Sequence, residues 1–231
     1  MSHFAEEDLE LLTPEAIVDR VLQNGAARPC ITCSFQAEDM IVVDLVRKRL
    51  PNIPVIFLET GYHFAETYSY RDRMAKLWNL NLINAAAKQA VAEQESQFGL
   101  LNQSDPTRCC QLRKVEPLFD ALKPYDVWFT GLRREQSPTR KNLKIIEQHK
   151  LPSGTTLQKV SPLANWTWEQ VWRYTVDNRI EYLPLYDLGY RSIGCQPCTS
   201  IPAEGSDSRS GRWGGTKLEC GIHTSSERSD Q

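Results

Sequence analysis

The sequence feature that most constrains the fold is a strand–loop–helix unit that occurs twice in the first third of the chain. Residues 30–35 form a short apolar and β-branched run, and a helical pattern follows at 40–49. Residues 55–58 form a second apolar run, and a helical pattern follows at 64–78. Strands that alternate with helices pair in parallel, because each helix carries the chain back along the sheet. The pattern therefore predicts an α/β fold built on a parallel sheet.

Further elements continue this pattern. The sequence predicts strands at 80–83 and 126–130, and helices at 89–98, 110–122 and 167–178. The last of these helices has an aromatic and apolar stripe at helical spacing, which is more typical of core than of a cofactor site. Because ligands bind at the carboxyl ends of strands in such sheets, the loops after the strands are the first candidates for a site.

The composition changes near residue 201. From there the chain is rich in glycine, serine and charged residues and has no hydrophobic periodicity. A length of 231 residues suits one generous α/β domain. We therefore predict one domain over residues 1–200 and a mobile C-terminal arm over 201–231.

The charge balance excludes some partners. The 27 Lys and Arg residues against 29 Asp and Glu residues give a net charge of −2, so no overall positive field exists for nucleic acid or for an anionic membrane surface. The first residues are acidic, and no apolar run approaches the length of a membrane span. These features predict a cytoplasmic protein whose seven cysteines serve metal binding or thiol chemistry.

Four cysteines form two pairs, Cys109 with Cys110 and Cys195 with Cys198. Thiolates grouped in this way ligate zinc or an iron–sulfur cluster. Neighbouring residues on a helix diverge by about 100°, which suits two corners of a 4Fe–4S cluster better than one tetrahedral zinc. A structural zinc site and a vicinal disulfide remain alternatives. Lys114 lies one helical turn after Cys110, where it can meet the cluster or an anionic substrate.

Cys30 and Cys33 have the spacing of a redox pair, but the sequence around them predicts a strand. Redox chemistry of that kind needs the first cysteine at a helix N-terminus. In a strand the two side chains point to opposite faces. We therefore predict that both are buried core thiols.

Two loops are candidates for binding an anion. Residues 34–39 join the first strand to its helix, where backbone N–H groups can hold a phosphate, although the loop lacks the glycines of a Walker motif. Residues 131–137 follow a strand end and contain Arg133 and Arg134, which can reach the same crevice or remain solvated. An ordinary βα turn is the alternative for the first loop.

Cys220 is the seventh cysteine and a candidate nucleophile. Four side chains that can carry positive charge flank it: Arg209, Arg212, Lys217 and His223. We expect these cations to favour its thiolate, while Glu219 opposes them. An incidental cysteine in a tail is the alternative.

With these motifs in view, the chain resembles the phosphoadenylylsulfate reductase family from about residue 31 to residue 223. The resemblance rests on a modified PP-loop and on a set of cysteine, lysine and histidine motifs. The matching segments are 34–39, 57–63, 109–114, 131–137, 195–198 and 217–223. It implies a three-layer, adenine nucleotide alpha hydrolase-like fold of the PP-loop type.

The resemblance also implies roles for individual residues. The four paired cysteines would ligate one 4Fe–4S cluster, Cys220 would be the nucleophile, and His223 would assist nearby. The residues expected to hold the phosphosulfate or line the nucleotide site are Ser34, Leu58, Lys114, Gly131, Arg133, Arg209 and Arg212. Relatives that keep the four cysteines generally use adenosine 5′-phosphosulfate (APS), whereas the 3′-phosphorylated nucleotide (PAPS), alone or with APS, is the alternative.

The implied reaction is the reduction of APS to sulfite and AMP through an S-sulfocysteine at Cys220. A thioredoxin or glutaredoxin-type reductant would resolve this intermediate, in assimilatory sulfate reduction and cysteine biosynthesis. Family members are often homo-oligomers, and the resemblance extends that expectation here. Two rivals are an ATP-using PP-loop enzyme, whose usual Ser-Gly-Gly loop is missing from this sequence, and a redox-sensing metal module that is not an enzyme.

Overall fold

The computed structural model describes residues 6–25, 28–207, 209–215, 217 and 219–223. Within them, one sheet has the strand order β3-β2-β1-β4-β6-β5. Its strands are β1 (Pro29–Thr32), β2 (Pro54–Glu59), β3 (Asn81–Ala86), β4 (Val127–Phe129), β5 (Ile146–Lys150) and β6 (Thr156–Val160). All neighbours pair in parallel except β5 and β6. The predicted α/β fold is confirmed, with an antiparallel strand added at one edge.

Helices cover both faces of this sheet. The α-helices are α1 (Glu6–Glu10), α2 (Pro14–Gln23), α3 (Ala37–Arg47), α4 (Ala65–Leu77), α5 (Val91–Phe98), α6 (Leu101–Ser104), α7 (Pro106–Cys110), α8 (Glu116–Leu122) and α9 (Trp168–Asp177). Short 3-10 turns lie at Arg134–Gln136, Pro138–Arg140, Pro184–Tyr186, Gln196–Cys198 and Trp213–Gly215. In the described part of the chain, no helix is long and apolar enough to cross a membrane.

The two faces of the sheet have separate cores. On one face, side chains of α2, α3, α4 and α9 pack together with Ile31 and Phe129. On the other face, Leu118 and Leu122 of α8 pack against Cys30 and Trp128. Adjacent strand residues thus serve opposite layers, as the two-residue repeat of a strand requires.

Cys30 and Cys33 lie in opposite cores, as predicted. Both thiols are buried, and burial raises the pKa of each far above its ordinary value. A buried thiol of this kind is a weak nucleophile because little thiolate forms. The strand β1 ends at Thr32, so Cys33 stands one residue beyond it and not inside it.

The helical segment that carries the cysteine pair differs from the prediction. Its first helix, α7, begins at Pro106, where the Asp105 carboxylate accepts a hydrogen bond from the Arg108 amide at 2.9 Å. Cys109 and Cys110 therefore end α7 and do not begin a helix. A single π-helical turn, Gln111–Val115, then leads into α8. Pro117 accounts for the irregularity, because proline has no N–H to donate and its ring clashes with the carbonyl four residues earlier.

Candidate active site

A cavity of about 410 Å³ opens at the carboxyl ends of β1, β2 and β4, where the parallel topology predicts a ligand site. Loops after these strands form one side. The other side is formed by residues 191–194 together with Asp207, Arg209, Arg212, Trp213, Cys220, Ile222 and His223. The predicted residues that line it are Ser34, Leu58, Lys114, Gly131, Arg133, Arg209, Arg212, Cys220 and His223. The fold thus brings together in one cavity every side chain that the sequence assigned to substrate or catalysis.

Asp39, which the sequence reasoning missed as a site residue, joins two of the loops. Its carboxylate accepts hydrogen bonds from the Ser34 amide at 2.7 Å, the Ser34 hydroxyl at 2.5 Å and the Gly131 amide at 3.2 Å. A side chain at position 131 has no space, because its Cβ would lie 2.8 Å from the Asp39 nitrogen and 2.9 Å from the Glu38 carbonyl carbon. Asp39 therefore fixes the distance between the PP-loop and the end of β4.

Burial raises the pKa of Asp39 from its ordinary value of 3.8 to about 6. The folded chain therefore holds this proton more tightly than the unfolded chain, and the associated stability is lost as the pH rises from 4 through 6. Relative to Asp39→Asn, the wild-type free energy of unfolding should fall by about 2 kcal/mol between pH 4 and pH 7, because at pH 4 the carboxyl of the unfolded chain is already partly ionised. Urea titrations of both proteins across this range measure it, and parallel pH profiles would contradict the assignment.

Arg133 is buried at the cavity wall and is already paired. Its Nε and Nη2 donate to Glu38 Oε1 at 3.1 and 2.9 Å, and its Nη1 donates to Glu135 at 2.6 Å. Glu38 also accepts from the Gln136 amide nitrogen at 3.0 Å. Arg133 thus lines the cavity as predicted, but its charge is neutralised by two carboxylates. This arrangement suits a residue that holds the loop in place.

The other end of the cavity is cationic. Lys114, Arg209 and Arg212 line it, together with Arg140 and Arg191, which the sequence reasoning did not assign. Lys114 is buried, which lowers the pKa of its ammonium, but the nearby sulfurs of Cys195 and Cys220 outweigh burial and raise it. The lysine therefore carries its charge in a water-poor position, where an anion is attracted most strongly.

Arg212 packs against the backbone at Gly194. Its guanidinium lies over the Trp213 ring at 4.5 Å, and its Nε donates to the Cys198 carbonyl at 3.4 Å. A Cβ at position 194 would lie 2.5 Å from Cζ of this guanidinium and 2.8 Å from its Nη1. The absence of a side chain at Gly194 is what lets Arg212 reach the cavity.

Replacing Gly194 with alanine should displace Arg212 and weaken anion binding. Since a hydrogen bond to a charged group contributes about 1.5–3 kcal/mol, we expect kcat/KM for the anionic substrate to fall about tenfold or more. Steady-state kinetics measure the change. Gly154→Ala is the control, because Gly154 has a positive φ but no neighbouring atom within 4 Å, so it adds backbone strain without moving a cation. Equal losses in both variants would contradict the role of Arg212.

Beside this cavity, a smaller one is lined by all four paired cysteines, Cys109, Cys110, Cys195 and Cys198. All four are free thiols. The adjacent β2 loop holds the second pair in place, because Gln196 donates its amide to the Tyr62 carbonyl at 2.7 Å and the Cys195 thiol contacts the Thr60 hydroxyl at 3.4 Å. Lys114 and Trp213 border both cavities.

The donor set of the smaller cavity is purely sulfur. Burial and the neighbouring sulfurs raise the pKa of Cys109 to about 11, and burial also raises the pKa of Cys110 and Cys198. Several thiolates this close together need cationic metal to offset their charge. Among residues 6–25, 28–207, 209–215, 217 and 219–223, no three His, Cys, Asp or Glu side chains converge as ligands of a single metal ion. The four thiols that line this cavity nevertheless form the all-sulfur donor set that zinc or an iron–sulfur cluster takes.

The segment 219–223 closes the cavity from the C-terminal side. Cys220 is half-buried and lines the cavity. The His223 ring stacks on Trp128 with centroids 5.6 Å apart, and Lys159 donates to the His223 carbonyl at 3.5 Å. Burial lowers the pKa of His223 well below its ordinary value, so the ring is neutral, and its Nδ1 has no hydrogen-bond partner among the described residues.

A parallel α/β sheet with a ligand cavity at its strand ends, bordered by a PP-loop, defines a nucleotide-binding protein of the PP-loop class. A family model described as the phosphoadenosine phosphosulfate reductase domain matches residues 28–201. The chain belongs to the phosphoadenosine phosphosulfate reductase family. Membership favours an oxidoreductase over the ATP-using and metal-sensing alternatives.

Named relatives divide between two substrates. Adenosine 5′-phosphosulfate reductase of Mycobacterium tuberculosis is 45% identical over 200 residues, which cover 84% of this chain and 78% of that protein. Phosphoadenosine 5′-phosphosulfate reductase of Gloeobacter violaceus is 41% identical over 228 residues, which cover 96% and 93%. The crystal structure of phosphoadenylyl-sulfate reductase from Candida auris, a phosphate complex, has a TM-score of 0.70 and 27% identity, with 85% and 97% coverage.

Proposed function

We propose that this protein reduces adenosine 5′-phosphosulfate to sulfite and AMP in sulfate assimilation, with Cys220 as the nucleophile. The observation that carries the proposal is that Cys220 shares one cavity with Lys114, Arg209 and Arg212. A sulfur nucleophile beside a cationic pocket suits a substrate whose reacting sulfur is surrounded by anionic oxygens. The relatives named adenosine 5′-phosphosulfate reductase support this substrate.

In the first step, the Cys220 thiolate attacks the sulfur of the phosphosulfate. An S–S bond forms, the S–O bond to the phosphate breaks, and AMP leaves with the electron pair, so the enzyme carries an S-sulfocysteine. An external thiolate then attacks Sγ of Cys220, and sulfite leaves with the S–S electron pair. A second thiol of the same reductant resolves the mixed disulfide. The two electrons in sulfite therefore come from an external dithiol, which becomes a disulfide.

The cations lower the barrier to the first step. A thiolate that approaches a sulfate group is repelled by its charge, and the departing phosphate gains charge as the S–O bond breaks. Lys114, Arg209 and Arg212 neutralise both groups from fixed positions, which is more effective than solvation by water. Asp39 and Gly131 hold the PP-loop against the end of β4, where Ser34 and Leu58 would contact the nucleotide.

Cys109, Cys110, Cys195 and Cys198 would hold one 4Fe–4S cluster. When bound, such a cluster would tie α7 to the turn Gln196–Cys198 and place negative charge beside Lys114. The four free thiols that line one cavity support this proposal, because an all-sulfur donor set is one that an iron–sulfur cluster takes. The scheme above needs no electron from it, so its role would be structural and electrostatic.

The reductant would be a thioredoxin or glutaredoxin-type dithiol protein in the cytoplasm, where such dithiols are kept reduced. Cys220 is half-buried when it lines the cavity. A partner thiol must reach Sγ in the second half of the cycle, so the C-terminal arm would have to move outward between the two steps. Arm residues 224–231 lie outside the described residues.

One experiment tests substrate, nucleophile and covalent mechanism together. Anaerobically purified protein is incubated with APS and no reductant, and its intact mass and peptide map are recorded. We expect one sulfo group on Cys220 and a matching amount of free AMP. Protein with its full iron content that forms no adduct would overturn the proposal.

PAPS is the second candidate substrate, because the 41% identical relative that covers 96% of the chain is named a phosphoadenosine 5′-phosphosulfate reductase. The 3′-phosphate would need a further cation near the ribose. Parallel kinetics with APS and PAPS separate the candidates through the ratio of their kcat/KM values. A higher value for APS is expected, and a higher value for PAPS would reverse the assignment.

A further inference from the structure

Glu219, the residue before Cys220, binds a cation of the cavity. Arg140 donates through Nε at 2.9 Å to one carboxylate oxygen and through Nη2 at 2.8 Å to the other. Thr139 donates its hydroxyl to the first oxygen at 3.0 Å, and Arg209 reaches the second at 3.5 Å. Arg140 and Arg209 both line the cavity that contains Cys220.

This pair differs from ordinary surface ion pairs. The Arg140 and Glu219 side chains are only 11% and 15% exposed. A bidentate guanidinium–carboxylate contact of this kind is directional, and its hydrogen bonds are charge-assisted. The same fork recognises two oxygens of a phosphate or sulfate. Glu219 therefore binds the Arg140 guanidinium, a group that would equally bind the phosphate or sulfate of an anionic ligand.

Glu219 directly precedes Cys220, so its contact with Arg140 also restrains the cysteine. Residues 138–140 belong to the loop after β4, whereas Glu219 is 79 residues further along and adjacent to the nucleophile. Other described contacts hold the far end of the segment: the His223 ring stacks on Trp128, Lys159 donates to the His223 carbonyl, and Ile222 packs against the core on the α8 side. Losing the Glu219 contact would therefore free the cysteine side of the segment while His223 stays in place.

We infer that Glu219 is a positioning residue, a carboxylate that holds the Cys220 segment closed on Arg140 and Arg209 and competes with the anionic end of the substrate for these cations. In the ligand-free protein this contact holds Cys220 in the cavity, and an arriving phosphosulfate must displace Glu219 from the two guanidinium groups, while the stack of His223 on Trp128 keeps the segment over the cavity. The identity of the competing anion rests on the proposed function, whereas the contact of Glu219 with Arg140 and Arg209 does not.

The first test measures how accessible Cys220 is in the ligand-free protein. Wild type and Glu219→Gln, which keeps the shape and removes the charge, are alkylated with iodoacetamide under anaerobic conditions at alkaline pH, in the range where the rate no longer rises with pH and so reports accessibility and not the thiolate fraction. Modification of Cys220 is followed by peptide mapping. Because charge-assisted hydrogen bonds contribute about 1.5–3 kcal/mol, we expect Cys220 to react about tenfold faster in the variant. Glu219→Asp keeps the charge and should return most of the wild-type rate.

Asp19→Asn is the matched control. Asp19 forms a similar two-pronged pair with Arg49, between α2 and the end of α3 and away from the cavity. Its loss should leave the alkylation rate of Cys220 unchanged. An equal rate in wild type and Glu219→Gln would overturn the inference, as would an equal increase in Asp19→Asn.

The second test measures competition without turnover. APS affinity is determined by calorimetry in Cys220→Ser and in Cys220→Ser/Glu219→Gln, neither of which can form the adduct. Removing the competing carboxylate should tighten APS binding by about three- to tenfold. Unchanged or weaker binding overturns the competition. If APS binds to neither protein, the assignment of APS as the substrate is wrong. The alkylation rates then still decide whether Glu219 restrains the Cys220 segment.

Discussion

Cys220→Ser is expected to abolish sulfite formation and to leave the iron content unchanged. A serine hydroxyl is almost fully protonated at neutral pH, and attack through oxygen would give a sulfate ester that a thiol cannot reduce to sulfite. Cys220 lines the cationic cavity and is not among the four thiols around the smaller one. Turnover should fall by at least about 10⁴-fold, which sulfite release from APS measures.

The reciprocal variant is Cys198→Ser. Cys198 lines the smaller cavity with Cys109, Cys110 and Cys195. Its loss should lower the iron content per chain, as measured by metal analysis, whereas Cys220→Ser should not. Sulfite release by Cys220→Ser, or loss of iron from it, would show that the two sets of thiols have been assigned to the wrong roles.

Lys114→Met should give the second largest loss of activity. Methionine keeps much of the length of the side chain and removes its charge. Lys114 is buried and lines both cavities, so water would screen little of the charge that it presents to the proposed substrate. A preorganised charge of this kind contributes about 3–4 kcal/mol to transition-state stabilisation, so kcat/KM should fall about 10²- to 10³-fold.

Single-turnover adduct formation with APS measures this effect without the reductant step. Lys123→Met is the control, because Lys123 is exposed and pairs only with the exposed Asp120 among the described contacts. It should react at the wild-type rate. A Lys114→Met protein that sulfonates Cys220 as fast as wild type would remove Lys114 from the mechanism.

Local sequence pattern was sufficient to predict the centre of the fold. The first two strand–helix units are recognisable because each strand is a short apolar run, followed by a loop and a segment with helical spacing. The hairpin of β5 and β6 does not follow from the sequence, because β5 (Ile146–Lys150) has four polar residues in a row at the sheet edge and resembles a loop. The π-helical turn was also missed, since it depends on how Pro117 is accommodated after a helix that begins at Pro106.

The candidate site, like the fold, is predicted only in part by the sequence. Cysteine spacing and the family resemblance brought Cys220 and the four paired cysteines to attention without any structure. Asp39 and Arg140 acquire their roles from partners that are distant in sequence, Gly131 for Asp39 and Glu219 for Arg140. No local pattern marks such residues, because arginines and aspartates in loops are usually solvated.

The aromatic helix shows the limit of periodicity as evidence. Val171 and Thr175 of α9 are buried in the core, as the stripe predicts. Trp168, at the start of the same stripe, packs against the core and also borders the cavity, where the Arg133 guanidinium lies 5.6 Å from its ring centroid. An apolar stripe indicates which face of a helix is buried, but it does not show whether that face contacts the core or a ligand cavity. The first turn of α9 lies at the boundary between the two.

The π-helical turn at Gln111–Val115 determines the angle about the helix axis between the side chains of the cysteine pair and that of Lys114. Each residue added to or removed from a helix rotates everything beyond it by about 100°. If this stretch were a regular α-helix of the same length, Lys114 would point in a different direction from α7. A spacing of four residues keeps Lys114 close to the face of Cys110 in either kind of helix, but the wider π-helical turn, which accompanies Pro117, changes the side of that face on which the ammonium lies. The backbone around a single proline therefore decides from which side a positive charge meets the cysteine pair, a difference that residue spacing in the sequence does not record.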